Sequence, residues 1–301
     1  ERAVIHPMAT ILGALSAEAE RRGDVSGRDL LTAVAVGVDS SCVLGLSSNA
    51  AMRFFRPSTA GAFGATAAIA KLRGFDVDTT INAFGATYGQ ISGTLQPHKE
   101  GSPVLGMQIG FCARGAIVAC DLAERGLIGP HDVFDGQYGY FPLYEGEGEY
   151  DWQPVFAKLG NEWQINNVSH KPFPSGRLTH GAVDGVQQIQ AREDFAASDV
   201  AKIVAIVPPL AYRLTGRPDI ANPEPNYAKL CIPFVAATTV LEGTVDVRHF
   251  QRPWLDNPAV HDLAARVECV QDDNPDQNVV APQRLEMTLK DGRHFVIDMP
   301  E

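Results

Sequence analysis

The sequence predicts an all-α helical domain followed by an α+β domain with a small, antiparallel sheet. Three observations carry this prediction. Apolar residues recur at helical spacing up to about residue 127, strand-like runs rich in Ile and Val appear after about residue 150, and a segment rich in Gly, Tyr and Glu, 136–151, lies between them. The predicted domains are therefore 1–150 and 151–301, with 136–151 as the linker.

In the first half, short turns with Gly or Pro separate predicted helices. Ile11, Leu12 and Leu15 share one face of the first helix, and Ser26 is a plausible N-cap for the second. Helices that are rich in Gly and Ala and apolar on most sides are expected to be buried against close neighbours. The predicted helices are Met8–Arg22, the segment after Ser26, Thr59–Arg73, Asp76–Ser92 and Pro103–Arg125.

In the second half, helices and strands are mixed. The Asp291-Gly292 pair between two apolar runs is typical of a hairpin turn. The predicted strands are Trp163–Val168, Val200–Val207, Val267–Val270, Arg284–Leu289 and Phe295–Asp298, and the predicted helices are Leu178–Arg192, Tyr227–Leu241 and Asn257–Arg266.

Charge and composition exclude several classes of function. The formal net charge of −11 argues against nucleic acid as the main partner, because phosphate binding needs a basic face. It leaves room for a small anionic metabolite, since a pocket needs only a few local cations. No apolar run approaches the length of a membrane span, and the first residues show no signal peptide, so no membrane partner is expected. Five scattered cysteines without metal-ligand spacing favour a reducing, cytoplasmic location and no metal site.

Polar and cationic residues gather at the predicted ends of elements. Gly61 and Gly64 lie inside a helical pattern, which argues against a dinucleotide-binding loop. Cations at loop ends are what a polycarboxylate site requires, because each carboxylate binds charge-assisted donors. A surface charge or a structural histidine is the alternative interpretation of each one. The groups are His6; Arg53 and Arg56; His98, Lys99, Glu100 and Ser102; and His170, Lys171, Arg177 and His180.

Several segments, in their order and spacing, resemble the MmgE/PrpD family along nearly the whole chain. The resemblance is carried by His6-Pro7, 26–33, 55–65, 70–74, 90–93 and the Lys171-Pro-Phe-Pro-Ser-Gly-Arg-Leu-Thr-His180 segment. It implies a helical domain plus an α+β lid domain, a homodimer, and catalysis without a metal or organic cofactor. The family includes 2-methylcitrate dehydratase, cis-aconitate decarboxylase and iminodisuccinate epimerase.

The resemblance also implies which residues act. His6 and Lys171 match family motifs and are the predicted catalytic residues. Arg56, Ser102, Gln108, Arg177 and His180 are the predicted substrate-binding residues, at an interface between the domains. Proton transfer next to a carboxylate needs a base and a cation over the developing charge.

Three positions depart from the family pattern. Arg56 stands where many members have histidine, the segment 103–110 lacks a lysine and a histidine, and Phe234 stands in place of a tyrosine. Arg56, which stays protonated, is therefore predicted to clamp a carboxylate and not to transfer protons.

The predicted function is that of a lyase acting on a small di- or tricarboxylic acid. A dehydratase acting on a 2-methylcitrate-like substrate is the leading prediction. An epimerase or isomerase, a decarboxylase of a related polycarboxylate and a non-catalytic homologue are the alternatives. An acidic site residue that the resemblance places before His6 is not in this sequence. The 301 residues alone are therefore expected to be inactive and to expose an apolar patch, with Val34, Val38, Ile69 and Ile117 covered only by further segments or a partner chain.

Overall fold

The computed structural model describes residues 2–300, which form two compact units. One unit holds the residues up to Leu95 and Val104–Ser169, and the other holds Gln96–Pro103 and the residues from His170 onward. The elements are α1 (Pro7–Arg22), α2 (Gly27–Leu46), α3 (Arg56–Arg73), α4 (Val77–Tyr88), α5 (Gln96–Glu100), α6 (Val104–Glu124), α7 (Gln153–Phe156), α8 (His180–Gln190), β1 (Val200–Val207), α9 (Pro209–Thr215), α10 (Pro225–Ala228), α11 (Ile232–Glu242), α12 (Pro258–Ala264), β2 (Val267–Gln271), β3 (Gln283–Leu289) and β4 (His294–Met299).

The helical unit is a bundle in which α1, α3 and α6 run in the same direction. Near the start of the helices, Thr10 donates to the carbonyl of Pro57 at 3.0 Å, and Ser58 donates to the carbonyl of Gln108 at 3.0 Å. Near their ends, Arg73 of α3 binds both Glu18 and Asp121. The N-termini of α1, α3 and α6 therefore lie at one end of the unit.

Helices α2 and α3 approach closely at a pair of glycines. A Cβ on Gly37 would lie 2.8 Å from the carbonyl oxygen of Gly64, and a Cβ on Gly64 would lie 2.6 Å from the carbonyl oxygen of Gly37. Any side chain at either position would push the two helices apart. Glycine is required here by contact distance and not by backbone conformation.

The predicted helices of the first half are confirmed, with shifted ends. The Ser26 side chain caps α2 by accepting from the backbone N–H of Asp29, and Gly74 ends α3 in the left-handed conformation. The expectation that Val34, Val38 and Ile69 need an outside cover is wrong, because this chain buries all three in the core of the unit, and Ile117 is half-buried against the same core.

The predicted linker 136–151 is instead part of the helical unit. Tyr140 and Phe141 are fully buried among stacked aromatic rings, and a π-helical turn, Phe141–Glu145, carries the buried Glu145. Glycine-rich composition suggested a flexible connection, but the aromatic residues between the glycines supply an apolar surface that packs.

The predicted strand Trp163–Val168 is also wrong, because Gln164–Asn167 forms a 3-10 turn. The backbone N–H of Gln164 donates to the carboxylate of Asp39 at 2.9 Å, while Ile165 and Val168 pack against the helical core. A short apolar run does not distinguish a strand from a turn that anchors two side chains.

The second unit contains a four-stranded mixed sheet in the order β2-β1-β3-β4. β3 and β4 form the predicted hairpin, and β1 pairs antiparallel with β3. β1 and β2 are parallel, so the prediction of an antiparallel sheet is wrong in this part. The reason is the long connection through α9 to α12, because a crossover that contains helices returns the chain to the sheet in the same direction.

The core of this unit lies between the sheet and the helices α8 and α11. Ile203, Leu285 and Met287 are fully buried, and Gly185 of α8 lies against Leu285. The predicted helix Tyr227–Leu241 is divided into α10 and α11 at Cys231. Pro233, in the first turn of α11, cannot donate the hydrogen bond that would continue a helix from α10.

Two helices, α2 and α6, are long and apolar enough to meet the length and composition of a membrane span. The expectation from the sequence that no apolar segment approaches the length of a membrane span is therefore corrected for these two helices. More than half of the most apolar stretch of α2 is buried inside the chain, as in the core helix of a bundle. α6 leaves one face exposed, with Val104, Met107, Phe111, Val118 and Leu122 between 41% and 50% accessible.

Candidate functional site

The structure divides the predicted site residues between the two units. His6, Arg56 and Gln108 belong to the helical unit. Ser102, Lys171, Arg177 and His180 belong to the second unit.

The first group lies at the end of the helical unit where three helices begin. His6 is the exposed N-cap residue of α1, Arg56 is the first residue of α3, and Gln108 lies in the second turn of α6. Helix N-termini present unpaired backbone N–H groups and a partial positive charge. These N–H groups are the kind of donors that an anion uses, and the anion site predicted from the sequence at this end stays a prediction.

Arg56 is almost completely buried and is paired within the chain. Its Nη2 lies 2.9 Å from Oε2 of Glu145, its Nε lies 3.2 Å from Oε1, and the two side chains are 2% and 4% exposed. Nη2 also donates to the Ser48 hydroxyl and to the Ala50 carbonyl, which leaves only Nη1 without a partner within residues 2–300. The surface-charge interpretation is wrong for Arg56. The carboxylate clamp stays a prediction, and this geometry argues against it because Glu145 already fills that role.

Gln108 is committed to the backbone of a neighbouring loop. Its Oε1 accepts from the N–H of Thr94 at 2.7 Å, and its Nε2 donates to the carbonyl of Thr94 at 3.2 Å. Both ends of the amide are thus used to hold the segment before α5. A role for Gln108 in substrate binding stays a prediction, and the contacts support a positioning role.

Lys171 lies in a turn with a second cation nearby. Its Nζ donates to the carbonyl of Ser175 at 3.3 Å, and the residue keeps part of its surface in solvent. The pKa of Lys171 is lowered, first by desolvation and then by the charge of Arg177. An ammonium group that has another cation nearby and no carboxylate partner among residues 2–300 is well suited to bind an anion or to give up a proton.

The remaining predicted residues of this unit lie in the segment after Lys171 and at the end of α5. Arg177 begins a short 3-10 turn that leads into α8, and the buried His180 places its ring edge-on to Phe173 at a centroid distance of 5.3 Å. The hydroxyls of Ser175 and Thr179 are hydrogen-bonded at 2.9 Å. Ser102 follows α5, where its backbone N–H donates to the carbonyl of Pro97. The structure thus brings Lys171, Arg177 and His180 together around one turn.

Sequence reasoning missed two participants. Glu145, predicted to lie in the linker, is the partner of Arg56. Arg217, which no motif singled out, donates to Nδ1 of the buried His98 at 2.9 Å. Both pairs join residues far apart in the chain, so no local pattern could have revealed them.

The comparisons with known proteins agree with the two-part organisation. The model of the MmgE/PrpD N-terminal domain matches residues 1–153, and the model of the MmgE/PrpD C-terminal domain matches residues 173–298. The cis-aconitate decarboxylase-like protein oryM of Aspergillus oryzae is 28% identical, over 99% of this chain and 67% of its own length. The cis-aconitate decarboxylases of Mus musculus and Homo sapiens are each 26% identical, over 96% of this chain and 61% and 62% of their own lengths.

The chain therefore spans about two thirds of the length of these relatives. The two family models together cover most of its residues, the N-terminal model before the C-terminal one. This chain belongs to the MmgE/PrpD family.

Proposed function

We propose that this chain is part of a lyase that acts on a small polycarboxylate by proton transfer next to a carboxylate. The observation that carries the proposal is the turn of Lys171, where a lysine of lowered pKa lies near Arg177 in the segment that resembles the family motif. Two cations in one turn suit a substrate that carries several carboxylates. The relatives that match nearly the whole chain support the same class of substrate.

Decarboxylation of a cis-aconitate-like acid is the first candidate reaction. The bond to one carboxylate breaks, CO2 leaves, and the electron pair stays on carbon as a carbanion stabilised by the neighbouring unsaturated acid. A protonated group then delivers one proton to carbon, and Lys171 is the proposed donor. The names of the relatives favour this reaction over the dehydration that the resemblance placed first.

Dehydration of a 2-methylcitrate-like acid is the second candidate. It passes through a related carbanion, since a base removes a proton next to a carboxylate and a hydroxyl group leaves as water. The argument for an epimerase rested on Arg56 as a carboxylate clamp, and the Arg56–Glu145 ion pair weakens it. Decarboxylation and dehydration therefore remain the reactions to test first.

The test is proton NMR in deuterated water with the full gene product that contains these 301 residues. With cis-aconitate, decarboxylation gives a smaller product that carries one solvent deuterium. With 2-methylcitrate, dehydration gives an unsaturated tricarboxylate with the same number of carbons. If neither acid reacts or exchanges a carbon-bound proton, and neither binds, the proposal fails; binding without exchange would favour the non-catalytic homologue.

A further inference from the structure

Arg217 of the second unit is a half-buried cation that has no carboxylate partner among residues 2–300. Its Nη1 atom is buried and has no hydrogen-bond partner, and no carboxylate within residues 2–300 lies within ion-pair distance of its guanidinium group. The nearest acid along the chain, Asp219, binds Nδ1 of His261 at 2.6 Å instead. Arg217 therefore differs from Arg56, whose charge is balanced by Glu145.

The contacts that Arg217 does make are all to neutral groups. Its Nη2 donates to Nδ1 of His98 at 2.9 Å and to the carbonyl of Leu214 at 2.8 Å. Because guanidinium can only donate, Nδ1 of His98 must accept, which places the proton of the neutral ring on Nε2. The guanidinium also stacks over the ring of Tyr227, at 4.9 Å from its centroid. These groups orient the cation without neutralising it.

This arrangement is costly unless an anion completes it. A desolvated charge with one unsatisfied donor loses hydration that neutral acceptors only partly replace. The same desolvation lowers the pKa of Arg217. An arginine kept only for packing could be replaced by an apolar side chain over Tyr227, so the unbalanced charge points to a ligand that the chain itself does not supply.

The neighbourhood of Arg217 is shared with the turn of Lys171. Within this turn, the N–H of Gly176 donates to the carbonyl of Lys229 at 2.8 Å, and a Cβ on Gly176 would lie 3.8 Å from the side chain of Thr215. The turn that carries Lys171 and Arg177 therefore lies against the end of α9, two residues before Arg217.

We propose that Arg217, stacked on Tyr227 and held by His98, binds a carboxylate of the polycarboxylate substrate. The assignment rests on the proposed function and adds a residue that no family motif marked in this sequence. Arg217 as a whole is half-buried, so part of the residue is open to solvent. His98 and Tyr227 are positioning residues, because they act on the substrate through the guanidinium.

The experiment measures binding of tricarballylate, a saturated tricarboxylate, to the full gene product by isothermal titration calorimetry. Arg217→Gln is expected to weaken binding roughly 30-fold or more, because a charge-assisted contact is lost. Arg192→Gln, which removes an exposed arginine of the same unit, is the matched control and is expected to bind normally. Ligand-free Arg217→Gln should melt no lower than the wild type, whereas a purely structural arginine would lower the melting temperature.

The outcomes distinguish a failure of the Arg217 assignment from a failure of the proposed function. Normal tricarballylate binding by Arg217→Gln overturns the assignment and leaves the proposed function standing. Absence of binding by both the wild type and Arg192→Gln removes the proposed function and the assignment together. If Arg217→Gln does not fold, Arg217→Lys is the second variant, because it keeps the charge without the planar fork. It should bind tricarballylate at least about tenfold more weakly than the wild type does. Binding equal to that of the wild type would overturn the assignment.

Discussion

The two units differ in whether the cations described above have a carboxylate partner. In the helical unit, Arg56 pairs with Glu145, and Arg73 pairs with Glu18 and Asp121, so each buried cation has a carboxylate of the same unit. In the second unit, Lys171 has Arg177 as its charged neighbour, and Arg217 has only neutral acceptors. Matched charges stabilise a fold once they are buried, whereas unmatched charges near a turn are available to a ligand.

The largest expected effect is the loss of a matched partner. Glu145→Gln leaves the buried guanidinium of Arg56 without a counter-charge, and we expect the free energy of unfolding to fall by about 3–5 kcal/mol. Urea denaturation followed by circular dichroism measures this change. The double variant Arg56→Met/Glu145→Gln removes the stranded charge and should recover most of the loss. If Glu145→Gln is as stable as the wild type, the buried cation of the helical unit does not depend on its carboxylate partner, and the contrast between the two units does not hold.

The second expected effect concerns the unmatched lysine. Lys171→Ala should lower turnover or affinity for the substrate about 100-fold or more, because a charge-assisted contact is lost, while the fold stays intact. Steady-state kinetics of the full gene product, on the acid identified by NMR, measures it. Lys202→Ala, which removes an exposed lysine paired with Glu268, is the control and should leave the kinetics unchanged. Normal kinetics for Lys171→Ala would remove this residue from the site.

The third expected effect concerns association through α6. The exposed residues of α6 are spaced almost symmetrically along the helix. In an antiparallel second copy, Val104 would therefore lie opposite Leu122, Met107 opposite Val118 and Phe111 opposite Arg114. Arg114 already lies over Phe111 within one chain, at 5.7 Å, so the same cation–π contact could be exchanged between two copies. The expected homodimer would then use these exposed residues.

Phe111→Gln should weaken self-association at least about tenfold, since each copy loses the burial of an aromatic ring. Sedimentation equilibrium measures this, with Val77→Gln, a change at an exposed residue of α4, as the control. Unchanged association of Phe111→Gln would exclude α6 as the contact between copies.

The smallest expected effect is a gain in stability when the unmatched lysine is removed. The pKa of Lys171 in the folded chain is below its ordinary value of 10.5, so the folded state disfavours the ammonium form. Below the folded pKa the cost is present in full, and it disappears as pH rises through 10.5, above which the amine is neutral in both states. Lys171→Met should therefore stabilise the chain at pH 7, by less than about 1 kcal/mol because the side chain is exposed. Thermal unfolding at pH 7 and pH 11 tests this, and an equal gain at both values would contradict it.

Local patterns predicted the elements well where the ends of an element are marked in the sequence. The cap at Ser26, the glycine after α3 and the Asp-Gly turn between β3 and β4 each act through neighbouring atoms, so the sequence reveals them. The parallel pairing of β1 with β2 and the packing of Tyr140 depend on distant segments, and local periodicity cannot contain that information.

The candidate site shows the same limit. The sequence placed Lys171, Arg177 and His180 in one group because they lie within ten residues of one another, and in the structure they share a turn. It could not tell that Arg56 is neutralised by Glu145, which lies 89 positions away, or that His98 meets Arg217, which lies 119 positions away. Whether a charge is available to a ligand depends on such distant partners, and this is the part of function that needs the three-dimensional structure.

The contact between Gly37 and Gly64 limits how this family member can evolve. Most packed pairs can change size together, since a larger residue on one side is balanced by a smaller one on the other. Here both partners are already the smallest residue, and each one meets the backbone of the other. A substitution at either position thus has no compensating change at its partner, and the two sites are expected to be fixed in descendants that keep this helix crossing.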